Sequence, residues 1–419
     1  MSPGLADTGF SAAWLRRLAR TTPGVIGIIA LVVGAICVIA GVVSGGQLDA
    51  RIDERNSVLT RSEPFAYAAQ NLYAALSAAD AAAASAFLSG GVETAEMRER
   101  YQQALARASS ALADATAGAT DKETRTAIAE ISAQLAAYTS LVESARANNR
   151  QGFVIGSAYL REASSLMQTS LLPGAEKIYT GNLATLEEDQ RTVGSLPVAS
   201  LALLGLALVA IGIGSVMMSG RTNRQFNIGL VVAAATVVLV IGWVVVATQL
   251  AAGEIERSRT EGTVRFEQLA KARILAQQAR TDETLELIAR GDTSAREKSF
   301  YGHMDEMGKL LDAAPPGTAE IVENWTASHR KQAEAYEAGD YDAAVGQAIG
   351  PDPAASAAQF TAVESNLRDG IERTRETMRE RVSAAGAWLA WSPTGTLVLM
   401  VVAASAAAVG LWPRLKEFL

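Results

Sequence analysis

The sequence predicts an all-α integral membrane protein, with four transmembrane helices and two extracytoplasmic antiparallel four-helix bundles arranged as an internal tandem repeat. Three observations predict it. Four apolar runs, residues 23–46, 197–218, 226–250 and 393–412, hold no Asp, Glu, Lys, Arg or His. Each reaches the ~20 residues that a helix needs to cross the ~30 Å hydrocarbon core of a bilayer. The two long stretches between them, 47–195 and 251–392, are rich in Ala, Leu, Glu, Gln and Arg, good helix formers. Both are interrupted by turn residues at three places, and three breaks make four helices.

The N-terminal tail, 1–22, carries Arg16, Arg17 and Arg20 beside Trp14, which suits an interfacial anchor. The first apolar run is longer than a signal-peptide core of about 7–15 residues and has no clear cleavage site after it, so a retained helix is expected. Gly27, Gly34 and Gly41 recur along it, and Gly205 and Gly212 along the second run. Small residues on one face let helices pack closely inside the four-helix membrane part, and they leave room for a homodimer.

Basic residues near the span ends set the orientation. The tail arginines, Arg221 and Arg224 in the turn 219–225, and Arg414 and Lys416 in the tail 413–419 all fall on one side. That side is expected to be the cytoplasm, with both termini in it and the plasma membrane as the site. The long stretches outside then hold 30 of the 37 Lys and Arg but 42 of the 44 Asp and Glu. An excess of 12 negative charges argues against nucleic acid and against anionic lipid as the partner of these stretches. The single cysteine, Cys37, lies in the first span, so no intrachain disulfide is expected. With His303 and His329 the only histidines, neither a metal nor another cofactor is expected, and both are read as surface or packing residues.

In the first stretch, 47–195, the breaks fall at Ser89–Gly91, at Gly118 and at Asn148–Gly152. In the second, 251–392, they fall at Gly291–Asp292, at Pro315–Gly317 and across Gly339–Pro353. The spacing gives outer helices of about 38–44 residues and inner ones of about 21–31, ~60 Å against ~30–45 Å. The inner hairpins therefore meet the outer helices at the membrane-distal tip. Gly90, Gly91, Asn148, Asn149, Arg150, Gly291, Asp292, Gly339, Asp340 and Tyr341 are the candidate surface there for a soluble partner. Arg16, Arg17, Arg20, Arg221, Arg224, Arg414 and Lys416 are the candidate cytoplasmic docking residues.

No nucleotide-binding, nucleophile-elbow or zinc-protease pattern is found, and an enzyme is not expected. The spans carry no ionisable residue of the kind that marks a transport pathway. Arg368, Arg373, Arg375, Arg379 and Arg381 alternate with Asp369, Glu372, Glu376 and Glu380, which suits i,i+4 pairing on a solvated face.

A membrane helix, an external four-helix bundle and a returning helix resemble the sensor halves of chemoreceptors and sensor kinases, without their signalling domain. Two such halves, the run Ala79–Gly91 and the ending Trp412-Pro413-Arg414-Leu415 resemble the GlnX-type membrane transducers of the actinobacterial acidic-amino-acid sensing system. The resemblance implies two partners besides the lipid bilayer. Outside stands a substrate-binding lipoprotein for aspartate or glutamate; inside stands a soluble Ser/Thr kinase. The competing expectations are a direct small-molecule sensor using its own bundles, and an accessory membrane protein that does not signal.

Overall fold

The computed structural model of the chain describes residues 22–89, 93–222, 227–289, 291 and 293–416. Among them the backbone is helix joined by short turns, with no strand. α1 (Thr22–Ser57) passes through a π-helical stretch, Val58–Ser62, into α2 (Glu63–Leu88). α3 (Ala95–Gly118) and α4 (Lys122–Arg150) follow; α5 (Ile155–Leu166) passes through a second π stretch into α6 (Leu172–Gly194), and α7 is Val198–Thr222. The second half begins in the same way, with a π stretch inside its leading helix, and then differs. α8 (Ile228–Arg257) passes through Ser258–Thr263, again π-helical, into α9 (Val264–Ala289). α10 (Ser294–Gly308), α11 (Thr318–Glu337), α12 (Tyr341–Ile349), α13 (Ser356–Leu389) and α14 (Ser392–Lys416) complete the chain.

Among the described residues, four helices are long and apolar enough to cross a membrane. Two of the helices that hold these spans, α1–α2 and α8–α9, run on without interruption. The other two are broken at Ser195–Pro197 and at Ala390–Trp391. In both, a proline stands at the start of the new helix, Pro197 and Pro393, where its missing N–H is not needed.

The chain folds as two compact units. The span unit gathers the described residues of Met1–Asn56, Arg191–Glu256 and Val382–Leu419. On α8, Leu230, Ala233, Val237, Val240 and Val244 are buried, and on α14 Met400, Ala403, Ala407 and Leu411. This three-four spacing is the seam of left-handed helix packing. The opposite faces, with Leu31, Val216 and Val409 largely exposed, are as apolar as the core, as a lipid-facing surface requires. Trp391 and Trp412, both exposed, flank the α14 span as headgroup-level anchors do.

The glycine stripe behaves differently from its sequence reading. Gly34, Gly205 and Gly212 face open space, and of the stripe Gly41 packs tightly, where an added Cβ would lie 2.7 Å from Met400. The closest approach is between Gly229 and Gly410: a Cβ on either would come within 2.4 Å of the other's Cα. Asn227 locks that crossing, donating from Nδ2 to the Gly410 carbonyl at 2.9 Å and accepting from the Gly229 N–H at 3.0 Å. A period of seven marks a face, but a close crossing needs only one glycine on each helix.

The second unit, the head, comprises Ser57–Gln190 and Arg257–Arg381. One apolar core runs through it. Phe65, Leu72, Tyr138 and Met167 come from the first segment, and Phe266, Leu269, Phe300 and Trp325 from the second. α2 is dominated by alanine, with Ala66, Ala69, Ala75, Ala79 and Ala83 buried, so neighbouring helices can lie close against it. The four chain ends of the head meet at its base. There Ser62 donates to Asp189 at 2.6 Å, Gln190 donates to Ser258 at 3.3 Å, and Thr263 donates to Gln190 at 3.0 Å.

The turns fall where the breaks are. Gly152, Gly317 and Gly339 have φ of 71°, 87° and 79°, the left-handed region open to glycine. Two details differ from expectation. α12 occupies part of 339–353, read as a break; Asp340 caps it by accepting from the Ala343 N–H at 3.0 Å, and Ala344 and Ala348 bury against Leu287. α10 has only 15 residues, because a 3-10 turn at Leu311–Ala313 takes over before Pro315.

Gly262 in the third π stretch and Gly302 in α10 give opposite predictions. A Cβ at Gly262 would lie 2.7 Å from the Met378 Cβ, whereas Gly302 has nothing within 4 Å. Gly262→Val is expected to cost about 1–3 kcal/mol through overpacking. Gly302→Ala is expected to add about 0.5–1 kcal/mol through helix propensity. Denaturation of both variants against the parent checks the pair.

Candidate functional site

Three polar clusters stand out among the described residues of a head packed largely with alanine and leucine. The first is the seam between α2, α9 and α13. Arg273, 5% exposed, donates from Nε to both Glu364 oxygens at 3.0 Å and from Nη1 to Gln70 at 3.0 Å and Asn71 at 3.1 Å. Gln277 donates to Glu364 at 3.2 Å, and Arg368 does so at 2.9 Å. Burial pushes the Glu364 carboxyl up, but the two guanidinium groups outweigh it and hold the group below its usual range.

The other two clusters are a matched pair, one in each segment. In the first, the fully buried Asp80 of α2 accepts from Ser164 of α5 at 2.7 Å and from Tyr138 of α4 at 3.3 Å. Gln168 adds a longer contact at 3.4 Å. Burial raises the Asp80 pKa, and these donors only partly offset it. In the second, Glu283 of α9 accepts from Ser356 of α13 and from Arg280 at 2.5 Å, with His329 Nδ1 of α11 at 3.3 Å. The indole of Trp325 donates to Ser356 at 2.9 Å. Each segment thus buries a carboxylate from its first helix, an aromatic donor from its third and a serine from its last. Glu283 differs in having a cation: burial pushes its carboxyl up, but Arg280 and His329 hold it below the usual range.

Asp282, the residue before Glu283, takes no part in this cluster. Asp282 lies nearer the surface, paired with His303 at 3.2 Å and Arg296 at 3.6 Å. His329 is no surface residue: it is fully buried, and its ring stacks on Phe300 with centroids 3.7 Å apart. Glu286, one turn beyond Glu283, leaves Oε2 without a partner, and burial raises its pKa to about 7.

The far end of the head brings together several of the candidate tip residues. Asn149 Nδ2 donates to the Phe87 carbonyl at 3.2 Å, tying the end of α4 to the end of α2. In the other segment the Tyr341 hydroxyl donates to the Leu287 carbonyl at 3.0 Å, and that of Tyr336 to the Gly291 carbonyl at 3.4 Å. Asn148 donates to the Ser144 carbonyl at 2.8 Å, while Gly339 and Asp340 form the end of α11 and the cap of α12. Arg150, Gly291, Gly339 and Asp340 are exposed. Gly90, Gly91 and Asp292 lie outside the described residues.

The larger feature at this end was missed. Phe153, Val154 and Ile155 follow Gly152 and are 55%, 87% and 55% exposed, with Tyr159 beside them at 37%. Three apolar residues in a turn, where polar ones are the rule, were the available signal. Of the other candidate docking residues, Arg16, Arg17, Arg20 and Arg224 lie outside the described residues, as do the side chains of Arg221 and Arg414. Lys416 ends α14 and is exposed.

The arginines of α13 pair along their own helix only in part: Arg368 pairs with Glu364 at 2.9 Å and Arg375 with Glu372 at 3.0 Å. Glu63 of α2, 2% exposed, accepts from Arg375 at 2.5 Å and Arg379 at 3.0 Å, and Arg381 pairs with Glu261 at 3.1 Å. Positions 364, 368, 375 and 379 share one helical face, and α2 packs against it, so the pairs cross between helices.

A chain of long helices, four of them among the described residues fit to cross a membrane, with buried carboxylate clusters in the head, has the make-up of a helical membrane protein. Residues 54–191 match the family model described as an actinobacterial sensor domain. The match ends within a few residues of the first segment of the head, Ser57–Gln190, and is consistent with a sensing or signalling role. No curated protein matches the chain, and no solved structure does.

Two predictions follow from the buried charges. Arg273→Met strands Glu364 with only Arg368 and is expected to cost about 3–5 kcal/mol, while Arg273→Met with Glu364→Met costs markedly less. Urea or thermal unfolding of both variants checks this. For Glu286 the folded-state pKa of about 7 stands above the usual 4.5. Its contribution to stability is therefore complete below the lower value and lost as pH rises through the higher one. Glu286→Gln should melt above the parent at about pH 8, and the gap should close toward about pH 5.

Proposed function

We propose that this chain is a transmembrane signal transducer. It relays the occupancy of an extracytoplasmic aspartate- or glutamate-binding lipoprotein to a cytoplasmic Ser/Thr kinase, as the GlnX-type resemblance implies. The observation that carries the reading is the sensor-domain match on a segment whose leading helix runs unbroken from an apolar span. In this reading both segments are four-helix bundles of an internal repeat, the head is outside the plasma membrane, and both termini are in the cytoplasm.

The chain itself does no chemistry in this mechanism. The lipoprotein docks on the far end of the head, where the exposed Phe153, Val154 and Ile155 supply apolar anchors beside Arg150. Docking favours one of two packings of α2 against its neighbours, and the uninterrupted helix carries the difference into the spans. The kinase reads it from the short cytoplasmic turn and tails, including Arg221 and Lys416.

Phe153→Asp with Val154→Asp is expected to weaken lipoprotein binding by about tenfold or more and to abolish the kinase response, at unchanged expression and melting temperature. An unchanged response would remove the far end from the mechanism. Heat released on adding aspartate or glutamate to the purified chain without lipoprotein would overturn the indirect relay.

A further inference from the structure

An open groove of about 1060 Å³ runs along the head. Its floor is one face of α2, with Tyr67, Asn71, Ala74, Ala78, Ala82 and Ser85 in helical steps, and its walls are α3 and α13. The floor extends over 64–85, ~30 Å at ~1.5 Å per residue. A single extended chain of that length fits in it. Phe65 and Phe360 add apolar surface to the alanine floor.

The groove is basic in a head rich in acidic residues. Seven arginines line it against two carboxylates, Asp114 and Glu364. Arg100, Arg280 and Arg375 are paired with glutamates, but Arg273 and Arg368 share the single Glu364, leaving one positive charge over. Arg107, exposed on the α3 wall, makes no ion pair or hydrogen bond among the described residues. On α9, which also lines the groove, Gln277 is 1% exposed; its Nε2 donates to Glu364, and its Oε1 has no partner. That orphaned acceptor calls for a donor that the protein does not supply.

From these features we infer that the groove binds a single-chain anionic amphiphile with a hydroxyl-bearing head group, of the lysophospholipid class. The acyl chain lies on the alanines of α2, the anionic group faces Arg107 and Arg368, and a head-group hydroxyl donates to Gln277 Oε1. This gives the head a ligand of its own, independent of any partner at its far end.

The test uses the full chain in phosphatidylcholine nanodiscs, with palmitoyl lysophosphatidylglycerol as probe. Saturable binding, read by native mass spectrometry and by a rise in melting temperature, is expected. Palmitoyl lysophosphatidylcholine, with the same chain and no net charge, should bind about tenfold more weakly, and glycerol phosphate should not bind. Arg107→Glu, an exposed change that leaves the unliganded melting temperature unaltered, should weaken binding by about tenfold. Ala78→Trp should block it. Equal binding of the two lysolipids, or equal affinity of the parent and Arg107→Glu, overturns the proposal. So does tight binding of glycerol phosphate alone. Should Ala78→Trp fail to fold, the surface variant decides the question.

Discussion

The head depends on burying charge without stranding it. Arg273 enters a low-dielectric seam between α2, α9 and α13, and its desolvation is tolerable only because Glu364, Gln70 and Asn71 together receive its N–H groups. This one side chain joins the two halves of the sequence, since Gln70 and Asn71 come from the first and Glu364 from the second. An apolar seam of equal volume would hold as firmly but would tolerate sliding. Hydrogen bonds of fixed geometry set the register at which α2 lies beside α9. The alanines of α2 are a second condition for this arrangement, because larger side chains would hold the helices too far apart for Arg273 to reach across.

Much of the fold was legible in the sequence because its signals are local. Charge-free runs mark the spans, and Gly118, Gly152, Gly317 and Gly339 lie where helices end or begin. What was not legible depends on neighbours distant in the chain. Nothing in the stretch around Glu283 separates it from Asp282, yet one faces Trp325, His329 and Ser356 while the other faces His303. The arginines of α13 carry acidic neighbours in their own helix, and only the packing of α2 reveals that Glu63 is the partner. The shared core is of the same kind: periodicity tells which face is buried, and it does not tell against what.

The paired clusters around Asp80 and Glu283 give the two segments different electrostatic characters on a similar plan. Asp80 has only neutral donors, and burial raises its pKa; Glu283 has Arg280 and His329, which hold its pKa below the usual range. The second segment, with its ion pair and its stacked Phe300 and His329, has the more fully cross-linked interior.

The breaks at Ser195–Pro197 and Ala390–Trp391 bear on how force moves through the chain. In an unbroken helix every turn is tied to the next by hydrogen bonds, so twisting one end twists the other. Where the ladder lapses, torsion is absorbed by free backbone dihedrals. In the proposed relay, α1–α2 and α8–α9 are the helices that would carry torsion, and the two broken ones would not. Each of the unbroken helices also carries a π-helical stretch, a turn holding one residue more than an α-helical path would. Losing or regaining that residue would rotate everything beyond it by about a quarter turn, a mechanical step already stored in the covalent chain.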